Sequence, residues 1–199
     1  MSDTFNKFAK AVFANPQFRP PIYTRLLALD PGETTGWSFF VNGSASNIPS
    51  AVDPTGHLNT EAPAPALPQS SEPGWRLEVC GQIKTWPIES AFPSITSLLE
   101  TYHPDQVVYE RYNVYGWKAA DHSWSDVPTL QVIGIIRTLA FQSKIPTDEQ
   151  TAQIAKAFCK DDKLRSWGMY AKGQRHSRDS MRHGTYHILF GNRLSKDKT

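Results

Sequence analysis

The chain has 199 residues, 39% of them hydrophobic, with 21 Lys and Arg, 19 Asp and Glu, and two cysteines. This length supports one domain with a core and is short for two. No apolar run approaches the roughly 20 residues that span a bilayer, nothing at the N-terminus reads as a signal peptide, and Cys80 and Cys159 are too far apart for a CxxC site or a disulfide framework.

A soluble protein of a reducing cytoplasm, with no membrane partner, is the resulting expectation. The charge is uneven: residues 1–159 carry 11 basic and 15 acidic residues, whereas residues 160–199 carry 10 and 4. A cationic last fifth suits a polyanionic partner, and its plain alternative is a solvated basic tail.

Phe5, Phe8, Val12 and Phe13 recur at helical spacing and predict a short helix over 5–14, stopped by Asn15-Pro16. Arg25-Leu26-Leu27-Ala28-Leu29-Asp30 is a short apolar run ending in a carboxylate, the pattern of a strand buried on both faces. Pro31 to Gly36 reads as a tight reversal, and Trp37 to Val41 as a strand returning antiparallel to the first. Residues 42–74, rich in Pro, Ser and Ala, form a surface insertion without periodicity.

A strand resumes at Arg76–Thr85, where Gly81 predicts a bulge, and a helix follows over Ile88–Tyr102. Asp105 to Glu110 is a second buried-type strand that ends in a carboxylate. Helices are predicted over Val127–Gln142, Thr151–Phe158 and Arg175–Phe190, with a short strand opening at Ile145-Pro146. The order indicates an α/β domain: 1–24 an N-terminal extension, 25–192 a single domain with the insertion at 42–74, and 193–199 a basic tail.

Sites in open α/β sheets form beyond the carboxyl ends of the strands, so Asp30 and Glu110 would lie side by side if their strands are neighbours. Two carboxylates so placed repel and lose hydration unless cations hold them, and magnesium suits oxygen ligands. His176 and Asp179, three apart in the first turn of the last helix, share a face and add further donors. Together these parts would make a two-metal site for hydrolysis at phosphorus. Each alone has a plainer reading: a turn at Asp30, a surface ion pair of Glu110 with Arg111 or Arg137, a helix cap at His176 and Asp179.

His183 and His187 lie four apart, but without an HExxH pattern they read as helix-surface residues, His183 one turn after Asp179. Tyr112, Tyr115, Trp117 and Lys118 crowd one loop, where exposed rings beside a cation stack on unpaired bases or pack on the body. Lys156, Lys160, Lys163, Arg165, Lys172, Arg175, Arg178 and Arg182 are candidates for tracking phosphates, with Lys172 and Arg175 the foremost.

Leu27-Ala28-Leu29-Asp30-Pro31-Gly32 with Thr35-Gly36-Trp37, Val107-Val108-Tyr109-Glu110, and His176-x-x-Asp179-Ser180 together resemble the three acidic motifs of RuvC-type Holliday junction resolvases, with Ser180 in place of Ala. The likeness covers roughly residues 25–41 and 76–190 and is nearer to the divergent phage proteins than to the bacterial ones, which lack the extension and the insertion. It implies an RNase H-like fold, a five-stranded mixed sheet with three antiparallel strands followed by parallel ones and helices on its faces. It also implies a homodimer that cleaves branched DNA, above all four-way junctions, with two magnesium or manganese ions per site. By that resemblance Asp30 bridges both ions, Glu110 holds one and Asp179 the other, while His176 binds a metal or assists proton transfer. The rival readings are an RNase H-like enzyme acting on RNA, a DNA-binding module without catalysis, and an ATP-binding domain of the actin and sugar-kinase type. The last needs a second Gly-rich phosphate loop, which the sequence does not show.

Overall fold

A computed structural model describes residues 2–43, 74–112, 127–172 and 174–192. Helix α1 (Ser2–Phe13) precedes strands β1 (Arg25–Asp30), β2 (Thr34–Asn42) and β3 (Trp75–Lys84). A 3-10 turn at Ile88–Ser90 leads into α2 (Ala91–Tyr102), then β4 (Gln106–Arg111), α3 (Pro128–Gln142), β5 (Thr147–Thr151), α4 (Ala152–Phe158), α5 (Asp161–Trp167) and α6 (Arg175–Phe190). Among the described residues no helix is long and apolar enough to cross a membrane.

The five strands form one sheet in the order β3-β2-β1-β4-β5. β1 pairs antiparallel with β2, and β2 with β3, whereas β1–β4 and β4–β5 are parallel. The unbroken apolarity of β1 and β4 follows from burial on both faces. Leu26, Ala28 and Val108 enter a core shared with α1, α5 and α6. Leu27, Leu29, Val107 and Tyr109 enter the other, beneath α2 and α3. β5 closes one edge with exposed Thr147, Asp148 and Glu149, polar residues that discourage further strand pairing.

Several local expectations are corrected. The bulge lies between Phe39 and Phe40, opposite Glu78, and not at Gly81. Gly81 instead pairs with Trp37, and a Cβ there would stand 3.0 Å from the indole. Gly36 belongs to β2, paired with Asp30, so the reversal closes before it. Helix α5, which the sequence pattern does not predict, starts with Asp161 and Asp162 and ends at Gly168, which adopts a left-handed C-cap with φ 69°.

The two ends of the Pro-rich insertion meet, with Gly43 N–H donating to the Gly74 carbonyl at 3.2 Å, while 44–73 lie outside the described residues. Helix α1 packs back on its own chain. Phe5 is fully buried edge-on to Trp167, and Phe8 stacks on the same ring at 5.0 Å.

Candidate metal centre

The parallel register aligns Leu29 with Tyr109, so the next residues, Asp30 and Glu110, fall side by side where the strands end. β5 continues the row, with Gln150 opposite Glu110. Helix α6 crosses above these strand ends and contributes His176, Asp179 and His183, one turn after another along its buried side. The crossing is tight at two glycines. A Cβ on Gly36 would overlap the His176 backbone, and one on Gly184 would overlap the Phe40 ring.

Asp30 is buried, and its Oδ2 lies 2.7 Å from His176 Nδ1. Burial and then the adjacent Glu110 carboxylate push the Asp30 carboxyl well above its ordinary range. Burial also acts to raise Glu110, but hydrogen bonds from His183, Asp30 and Lys156 outweigh it and hold that carboxyl low. The two neighbouring carboxyls are thus driven in opposite directions, Asp30 up and Glu110 down.

His183 is fully buried, with Nε2 2.8 Å from Glu110 Oε2 and Nδ1 3.3 Å from Gln150 Oε1. Lys156, from α4, reaches both Glu110 Oε2 at 2.9 Å and Asp179 Oδ2 at 3.0 Å. Asp179, also buried, receives Arg182 at 2.5 Å, and Arg182 in turn binds Asp161 at 2.6 Å.

Donor atoms of Asp30, Glu110 and His183 all lie within 4.8 Å of one another. Two carboxylates and an imidazole form a donor set that magnesium or manganese accepts. A buried carboxylate set beside a half-buried one calls for positive charge, so the residues present fit a divalent ion. A cavity of about 190 Å³ opens beside Glu110, lined by Pro31, Arg111, Tyr112, Thr129, Ala152 and Gln153.

Of the residues singled out in the sequence, Asp30, Glu110, His176 and Asp179 are brought to this one place. Tyr112 lines the adjoining cavity, and Lys172 and Arg175 are exposed at the approach to α6. Tyr115 and Lys118 lie outside the described residues. His183 and His187, expected on the helix surface, are both buried, because α6 is covered by the sheet below and by α1 and α4 beside it. The one-turn spacing from Asp179 was the signal for His183. Lys156 does not stand free to track phosphate, since it is enclosed by Glu110 and Asp179. Arg178 and Arg182 are likewise engaged, both by Asp161. Glu110 pairs with neither Arg111 nor Arg137 but with Lys156 and His183, while Arg111 faces Glu149 at 3.7 Å.

No family model matches the chain, and no curated protein matches its sequence. Solved structures do match in fold. Thermus thermophilus RuvC superposes with a TM-score of 0.53 at 14% identity, over 84% of this chain and 95% of the other. The same protein in complex with Holliday junction substrate gives 0.55 at 14% identity, over 84% and 94%. The yeast mitochondrial Holliday junction resolvase Ydc2 gives 0.40 at 9% identity, over 92% and 82%. The expected RNase H-like sheet, three antiparallel strands followed by parallel ones and flanked by helices, is therefore the fold of this chain.

Proposed function

We propose that this chain is a divalent-metal-dependent endonuclease that cleaves branched DNA, with the four-way junction as its principal substrate. The observation that carries the reading is the convergence of Asp30, Glu110 and His183 donors within 4.8 Å at the carboxyl ends of adjacent parallel strands. The fold it shares with Thermus thermophilus RuvC, solved with a Holliday junction substrate, supports DNA as the polymer.

Asp30, Glu110 and His183 would hold magnesium or manganese, which when bound polarises the phosphate and lowers the pKa of water. Asp30 orients His176 through Nδ1, which leaves the other ring nitrogen to take a proton from the attacking water. The His176 side chain is 41% exposed, open enough to exchange that proton with solvent. Asp179, braced by Lys156 and Arg182, keeps the helix end of the site fixed. The cavity beside Glu110 receives the nucleotide next to the scissile phosphate, with Tyr112 on its wall. A four-way junction presents two equivalent strands, so a twofold dimer supplies matched sites.

The test is cleavage of a synthetic four-way junction with and without magnesium, beside duplex, flap and RNA substrates. Paired symmetric nicks, dependent on magnesium and lost in Asp30→Asn with junction binding retained, are the expected result. Cleavage that survives chelation, or that prefers RNA, overturns the reading.

A further inference from the structure

Among the described residues the centre has three carboxylates but one compact donor set. Asp30, Glu110 and His183 close within 4.8 Å of one another, and Asp179 is not part of that group. What stands between Glu110 and Asp179 is an ammonium. Lys156 Nζ is 2.9 Å from one and 3.0 Å from the other, linking strand β4 to helix α6. Its stem is two-thirds covered, and the helix that carries it is anchored by the fully buried Ala155 and Cys159. Lys156 is therefore placed by the fold and is not a surface side chain that has folded inward.

The second half of the argument lies at His183. The ring is held with Nδ1 3.3 Å from Gln150 Oε1 and Nε2 2.8 Å from Glu110 Oε2, so the imidazole is directed at the strand-end carboxylate. An imidazole nitrogen and carboxylate oxygens gathered within 4.8 Å are donors that one divalent ion accepts together. Gln150 is held in register opposite Glu110, so the ring nitrogen's direction is fixed by the sheet itself. The site thus has one donor set compact enough for a cation and a neighbouring position already filled by one.

We infer that the centre takes one divalent cation, on Asp30, Glu110 and His183, and that the Lys156 ammonium occupies the place of a second ion between Glu110 and Asp179. This rests on the metal-centre reading above and departs from the two-ion count that the sequence resemblance implies. A single fixed monocation in that place leaves the site less positive than a pair of dications would, and it needs no second ion to be recruited from solution.

The experiment is Mn2+ titration of the full chain, with free ion followed by room-temperature electron paramagnetic resonance. Wild type and Lys156→Arg are expected to bind one Mn2+ per chain. Lys156→Ala, which uncovers Glu110 and Asp179, is expected to bind two and to show a spin-coupled pair at low temperature. Nitrogen modulation of the bound ion is expected to persist in His176→Ala and to vanish in His183→Ala. Two ions in wild type, or one in Lys156→Ala, overturns the assignment, as does nitrogen modulation that survives loss of His183. If Lys156→Ala fails to fold, the wild-type stoichiometry decides alone. Absence of bound Mn2+ in every form overturns the metal centre itself, an outcome separate from a change in ion count.

Discussion

The backbone of His176 passes directly over Gly36, the residue of β2 paired with Asp30, so closely that no side chain fits between them. This close approach sets the height of α6 above the strand ends and therefore the reach of His176 to Asp30. Gly36→Ala places a methyl group against backbone atoms, which cannot rotate away as a side chain tip would. Overpacking of this kind costs about 1–3 kcal/mol. A domain of this size loses about 2–4 °C of melting temperature per kcal/mol. Displacement of His176 is expected to lower junction cleavage by about 100-fold, read by single-turnover rates. A variant that melts and cleaves as wild type would show that α6 can lift without consequence.

Asp30 and Glu110 repel in the metal-free protein, and the sheet register gives them no way to separate. Asp30→Asn removes the carboxyl whose ionisation burial and Glu110 oppose, while keeping the shape. In chelator it is expected to raise the melting temperature, by about 1 kcal/mol of stability, as substitutions at strained functional sites do. Magnesium should then stabilise wild type by mass action and leave the variant unmoved. Scanning calorimetry of both proteins with and without the ion checks this. A destabilised variant in chelator would mean that the hydrogen bond to His176 outweighs the repulsion.

The two strand-end carboxylates are legible in the sequence because each follows an apolar run too short and too continuous to be anything but a strand covered on both faces, and such strands lie side by side. His176 and Asp179 are legible from helical spacing within a motif. The role of Lys156 and the burial of His183 are not, because both depend on what covers a helix. Linear spacing gives the face of α6 but not that α1 and α4 close its flanks, which turns an expected surface histidine into a fully buried one. Lys156 sits in a run of basic residues, and only the seating of Ala155 in the core turns it toward Glu110. Gly36 reads as a turn residue because a sequence shows a missing side chain but not the helix that needs the space. Helix α5 leaves no trace in the pattern, since seven residues with two inward positions, Leu164 and Trp167, are too few for periodicity to register.

His187 is buried against Tyr23, with rings 5.7 Å apart, and its Nδ1 is 3.7 Å from Asp148. Burial depresses its pKa to about 4, against a smaller opposing pull from Asp148. The folded state therefore binds this proton less readily than the unfolded chain. Its contribution to stability is complete above the unfolded value of 6.5 and is lost as pH falls toward 4. The loss amounts to about 3 kcal/mol at most. Urea unfolding at several pH values should show this decline in wild type and a shallower one in His187→Leu. Equal slopes would mean that the imidazole finds a partner once protonated.

Lys172 and Arg175 are exposed at the approach to α6, whose first turns carry His176 and Asp179 toward the strand ends. On the proposed function, cations at this approach would displace counterions from the backbone of bound DNA. Removing one cation from a phosphate should flatten the dependence of log affinity on log salt by about one unit. Lys172→Ala and Arg175→Ala are therefore expected to weaken junction and duplex alike, each with a salt slope smaller by about one. Fluorescence anisotropy at several salt concentrations measures this directly. Slopes identical to wild type would place the phosphates elsewhere.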